Sequence, residues 1–198
     1  MESINLPKVI LARFAGPKFR SHVFGNDWDA WVELWAPKVY GFVRSSLGEY
    51  GTEPLPDILP MADADHAAGA NASFNMATGQ ITLHPYMSHD PGTTLEKLTH
   101  EMVHGSLSKF PDSGEFFDEG VVDHSVLVLS KSTYWGEHQP AMERAAQYNL
   151  TMRCTRAYST RTEYDRQRWM GGICSQYMYG DSVVAAFRQK KLSGDFSW

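Results

Sequence analysis

Along the chain, apolar positions recur first at the period of a helix. In "NDWDAWVELWAPKVYGFVRSSLGEY", residues 26 to 50, Trp28, Trp31, Trp35, Val39 and Phe42 stand three and four apart, which predicts a helix with one buried stripe. Pro37 should bend or restart it, because proline has no N–H to give and its ring crowds the preceding turn. "EPLPDILPMAD" reads as a connection into an edge strand, where proline is tolerated. "ANASFNMATGQITLHPY" reads as two short strands, near 71 to 75 and 80 to 85, joined by a turn containing Gly79.

The helical period returns in "TTLEKLTHEMVHGSLSKF", residues 93 to 110. Thr93 is the expected N-cap, since Glu96 three positions on completes a capping box, and the helix should end between Gly105 and Lys109. After "FPDSG", the segment "EFFDEGVVDHSVLVLSK" is apolar on several faces and predicts a largely buried helix. Helical patterns follow near 139 to 152, 160 to 176 and 181 to 191, with no internal repeat and no low-complexity segment. Short antiparallel edge strands followed by a mainly helical half make an α+β domain. With 198 residues and 42% hydrophobic content, the chain can bury one substantial core, so a single domain over 1–198 is expected.

Charge narrows the partners. A net charge of -5 and a pI near 5.9 argue against nucleic acid, whose binding needs clustered lysine and arginine. No stretch approaches the roughly 20 apolar residues of a membrane helix, so no membrane partner is expected. The start, "MESINLPKVILARFAGPKF", lacks the basic flank and long apolar run of a secretory signal, which points to the cytoplasm. Cys154 and Cys174 make no disulfide framework and no paired zinc spacing, and both read as buried thiols.

Chemistry concentrates at His100, Glu101, Met102, Val103 and His104. Two histidines four apart on a helix project from one face and can share one ion, which is the H-E-x-x-H geometry. The bland alternative is a surface helix with incidental histidines. A catalytic zinc takes three protein ligands and keeps a fourth position for water, so a third ligand must come from elsewhere. It is not a histidine six positions after His104, because Phe110 stands there. The candidates downstream are Glu115, Asp118, Glu119, Asp123 and His124. Glu119 and Asp123 are again four apart, so one could bind zinc while the other accepts the ring N–H of a ligand histidine.

These residues resemble the gluzincin metallopeptidases, in which H-E-x-x-H on one helix is followed by a ligand glutamate on the next. The E-x-x-x-D spacing from Glu119 to Asp123 is similar to that of thermolysin, and "DEGVVDH" is similar to the E-G segment of smaller gluzincin-like peptidases. The resemblance implies a zincin-like domain with N-terminal helix and strands over 1–92 and active-site and C-terminal helices over 93–198. It implies Zn2+ held by His100, His104 and Glu119, with Asp123 orienting a ligand histidine, most naturally His100. Glu101 would be the general base. "YMYGDSVV" resembles a gluzincin stretch that supplies a tyrosine hydroxyl to the oxyanion, with Tyr177 as first candidate and Tyr179 as second. An edge strand, here "GANASFN", would hold an extended peptide, and its lack of an acidic residue speaks against an aminopeptidase.

The expected function is therefore zinc-dependent hydrolysis of a peptide or small amide through a zinc-activated water. Two alternatives stand beside it. One is a biosynthetic enzyme using zinc or iron on a small molecule with the same scaffold. The other is a noncatalytic domain with a structural metal. Among the remaining polar residues, His84, His89, His124 and His138 read as ordinary surface or packed histidines. Arg153, Arg156, Arg161, Arg166 and Arg168 read as a solvated face paired with Glu163 and Asp165, with recognition of a substrate carboxylate as the alternative. The oligomeric state is not legible.

Overall fold

In the computed structural model, residues 28–48, 55–61, 71–84, 91–107, 115–155 and 163–194 are described, the side chains of 115–118, 152–155 and 163–167 excepted. The chain forms α1 (Trp28–Leu47), β1 (Ile58–Pro60), β2 (Ala72–Asn75), β3 (Gln80–Leu83), α2 (Pro91–Leu107) and α3 (Glu115–Ser130). A 3-10 segment (Thr133–His138) leads into α4 (Gln139–Thr155) and α5 (Glu163–Tyr179), and a second one (Gly180–Ser182) leads into α6 (Val183–Ser193). The α+β architecture is a small sheet followed by a mainly helical region.

The sheet is mixed, with strand order β1-β3-β2. Strands β2 and β3 pair antiparallel, Phe74 opposite Ile81, while β1 pairs parallel to β3, Ile58 opposite Ile81. The expectation of antiparallel strands alone is corrected there: β1 reaches β3 across a long connection, so nothing forces a hairpin between them. Pro60 sits on the edge strand β1, where a missing N–H costs no ladder bond. The β2–β3 turn forms because the Asn75 side-chain carbonyl accepts from the N–H groups of Ala77 and Thr78, and Gly79 takes φ 69°.

Helix α1 runs through Pro37 without restarting. Its buried stripe is Trp28, Trp31, Val32, Ala36, Val39, Val43 and Leu47. Trp35 and Phe42 fall at the rim, where Phe42 stacks on Tyr134 at 4.5 Å and Trp35 meets His138 edge-on at 5.2 Å. That stripe and the inner face of the sheet, Ile58, Ile81 and Leu83, close on α2 from two sides.

Helix α2 is the centre of the molecule, in contact with α1, α3, α4, β2 and β3. It opens at Pro91, a residue suited to a first helical turn, two positions before the expected N-cap. Thr93 therefore lies inside the helix, and Glu96 is fully buried instead of closing a capping box. Gly92 explains the early start: a Cβ there would meet the Ala141 Cβ at 2.4 Å, so glycine lets α4 press against the first turn. The second close crossing joins α3 to α5. A Cβ on Gly120 would lie 2.1 Å from the Arg168 carbonyl oxygen and 2.3 Å from the Gly172 nitrogen, so the two backbones touch. Among the described residues no helix is long and apolar enough to cross a membrane.

Gly120→Ala should therefore force α3 and α5 apart. An overpacked crossing of this kind costs about 1–3 kcal/mol, and chemical denaturation should show a lowered midpoint at unchanged slope.

Candidate metal centre

Two helices build the site and a third holds it. On α2, His100 and His104 sit one turn apart with their Nε2 atoms 3.1 Å from each other. From the start of α3, Glu119 brings Oε1 to 3.0 Å from His104 Nε2 and Oε2 to 3.4 Å from His100 Nε2. Taken with one ligand atom each, the three residues keep those atoms within 4.8 Å of one another. Zinc bonds of roughly 2.0–2.2 Å in tetrahedral array imply donor separations of about 3.3 Å. The approaches of 3.0–3.4 Å match that spacing, with the two Glu119 oxygens divided between the histidines. Two imidazole nitrogens that face each other need a cation or a shared proton between them. The donor set thus fits zinc. His100, His104 and Glu119 form a candidate zinc-coordinating cluster of gluzincin type, as H-E-x-x-H with a downstream glutamate.

Asp123 lies one turn after Glu119, with Oδ1 3.3 Å from His100 Nδ1. The approach is an ion-pair contact slightly out of line for a hydrogen bond, since Nδ1 has no aligned acceptor. It directs the Nδ1 edge of the ring toward α3 and the Nε2 edge toward His104 and Glu119.

Behind both carboxylates stands Arg168 of α5, only 6% exposed. Its Nε and Nη2 donate to the two oxygens of Asp123 at 2.7 Å each, and Nη1 lies 2.5 Å from Glu119 Oε2. Sequence reasoning had set Arg168 on a solvated face with Glu163 and Asp165, and the structure corrects that. The backbone contact of Gly120 with Arg168 and Gly172 brings the base of the arginine so close to α3 that its side chain runs beside that helix. The readable signal was the Gly171-Gly172 pair, three and four positions after the arginine and facing the Gly120 of "DEGVVDH".

The electrostatics follow from burial. Desolvation opposes a charge on His100, yet the contacts with Asp123 and Glu119 outweigh it and raise its pKa to about 9. Desolvation likewise works against ionised Glu119 and Asp123. For Glu119 the two histidines and Arg168 prevail, and for Asp123 Arg168 and His100 prevail, so both carboxyls stay well below the usual range. Glu101, 6% exposed, has its pKa raised by burial, against the pull of His100 and His104. Among the described residues it makes no hydrogen bond or ion pair.

Tyr177 is 92% exposed. It follows Arg168 by nine positions on α5, which places it about 180° round the helix and roughly 13 Å further along, away from the cluster. Tyr179 packs against Phe187 at 5.9 Å. Neither tyrosine is brought to the metal ligands. His124 donates to or accepts from Ser175 at 2.8 Å in a buried contact, and burial depresses its pKa to about 4. Cys174 is an exposed free thiol, not a buried one, because it lies on the outer face of α5. The side chains of Glu115, Asp118, Cys154, Arg153, Arg156, Arg161, Glu163, Asp165 and Arg166, and residue His89, lie outside the described residues.

Two outcomes follow. Arg168→Leu strands Asp123 as a buried unpaired charge and should cost about 3–5 kcal/mol in unfolding experiments, with part of the loss recovered in the double variant with Asp123→Leu. The second concerns pH. A raised His100 pKa stabilises the metal-free fold fully below its unfolded value near 6.5, and that contribution is lost as pH rises through about 9. Zinc must displace the same proton, so apparent zinc affinity should rise by up to about tenfold per pH unit between neutrality and pH 9 and then level off. Competition titration against a chelator at several pH values measures this. No family model, curated protein or solved structure matches the chain, and the gluzincin-type arrangement of His100, His104 and Glu119 is carried by the site's own geometry.

Proposed function

We propose that the chain is a zinc-dependent hydrolase, a single zincin-like catalytic domain that cleaves a peptide or amide bond. The observation that carries this reading is the three-donor cluster with Glu101 beside it, buried and unpaired. Structural zinc sites are closed by four protein ligands, whereas three leave a position for the reacting water. When bound, zinc makes that water acidic near neutral pH and polarises the scissile carbonyl.

The chain's own residues do the rest. His100, His104 and Glu119 hold the ion, and Asp123 keeps the His100 ring in register through Nδ1. Arg168 fixes the two carboxylates, so neither Glu119 nor Asp123 has freedom to turn away. Glu101, one position round α2 from His100, accepts a proton from the attacking water at its carboxylate and delivers it to the leaving amine. Its burial supports that role, because a carboxyl raised toward neutrality is a stronger base than an exposed one. The outer edge of β2, an edge strand beside α2, offers main-chain groups to an extended substrate. Tyr177 and Tyr179 have no part in this arrangement as the helices stand.

Metal analysis of wild type, Glu119→Ala and Glu101→Ala, beside mass spectrometry of a digested peptide pool, tests the assignment. Wild type should hold one zinc and cut. Glu119→Ala should lose the metal, and Glu101→Ala should keep it while losing about 10²–10⁴-fold in rate. Zinc without cleavage of any peptide would move the reading to small-molecule chemistry.

A further inference from the structure

The metal-binding face of α2 extends beyond the zinc motif. Thr93, Lys97, His100, Glu101 and His104 fall within about 100° of one another round the helix axis. Thr93 and Lys97, two turns and one turn before Glu101, line a pocket whose other polar walls are Asn71, at the entrance to β2, and Arg144, Tyr148 and Asn149 of α4. Lys97 and Glu101 stand four apart, so their Cβ atoms are about 5–6 Å from each other and the pocket adjoins the proposed base.

The charge of this pocket is one-sided. Among the described residues Lys97 and Arg144 line it and no carboxylate does. Lys97 Nζ lies 3.2 Å from Glu96 Oε2, a fully buried carboxylate behind the wall, which anchors the ammonium at 13% exposure. With three donors, Lys97 keeps capacity for a second partner. Among the described residues Arg144 forms no ion pair, and the side chains of Thr93, Tyr148 and Asn149 form no hydrogen bond. A guanidinium, an ammonium, a hydroxyl, a phenol and an amide thus line one opening, the ammonium already paired with Glu96 and the guanidinium and phenol exposed to solvent.

We propose that this pocket binds a carboxylate of the substrate, which makes the substrate class a peptide or amide bearing a carboxylate on one side of the scissile bond. Guanidinium recognises carboxylate through paired N–H donors, and Lys97 adds a point charge. The route is set by β2: a peptide laid along its free edge reaches Asn71, and the pocket, at one end. The carboxylate belongs to an Asp or Glu side chain or to a free C-terminus, chemistries that the pocket shares. Cleavage of such a substrate rests on the hydrolase reading, but its binding does not.

The experiment is calorimetric titration of purified Glu101→Gln protein with four N-acetylated hexapeptides, alike except for Glu or Gln at one position and a free or amidated C-terminus. At least one carboxylate form should bind about tenfold tighter than the fully neutral peptide, and Arg144→Glu in the same background should reduce that advantage to about twofold or less. The form that carries the advantage identifies the source of the carboxylate. Equal affinity for all four peptides, undetectable binding included, overturns the proposal, as does an advantage that survives Arg144→Glu. The two readings fail separately. Carboxylate preference without cleavage by wild type removes the hydrolase and leaves the pocket, whereas cleavage without preference removes the pocket alone.

Discussion

A buried carboxylate, Asp123, and a partly buried one, Glu119, face one guanidinium, Arg168, and the site is organised around the negative charge left over. An uncompensated charge removed from water is costly, so a further cation nearby is favoured. Without metal, His100 supplies it by holding a proton well above its ordinary pKa. Zinc, if held by His100, His104 and Glu119, would take the place of that proton and supply the compensating charge.

That charge balance depends on how closely three helices approach. Arg168 lies where two backbones touch, at Gly120 of α3 and Gly172 of α5, and any side chain larger than hydrogen at Gly120 would move the guanidinium away from its carboxylates. Gly92 performs the matching service at the other end of α2, against Ala141. Small residues at the crossings and apolar ones between them, Leu98, Met102, Val122 and Val126, fix α2 relative to α3. The ligands inherit their spacing from that packing.

Local signals were legible and tertiary ones were not. The α3 helix, the β2 and β3 strands and the three C-terminal helices follow from period and turn residues; spacing pairs His100 with His104 and leaves Glu119 and Asp123 as alternatives for the third ligand, and the choice of Glu119 is what the gluzincin resemblance implies. Strand β1 pairing parallel with β3 was hidden, because three residues separated by a long connection carry no register. Glu96 looked like a capping residue since T-x-x-E is a local pattern, and only the packing of α4 on Gly92 draws the helix start back to Pro91. Arg168 was invisible for a similar reason. An arginine among arginines reads as solvated until two glycines bring its helix against Gly120.

The placement of function on α2 has a physical economy that distinguishes this centre from a structural zinc site. A structural site needs only ligands, and the residues between them are free to vary in polarity. Here the step from His100 to Glu101 carries a buried carboxylate whose pKa is raised by burial against the pull of His100 and His104. One turn back, Lys97 lines a pocket with no acid among the described residues. Helical geometry ties these together: a one-residue slip of α2 rotates every member by about 100° and would remove the ligands, the base and the pocket at once. A helix buried on nearly all sides, as α2 is, cannot slip, and that rigidity is what lets a chain of this size hold a reactive arrangement of charges.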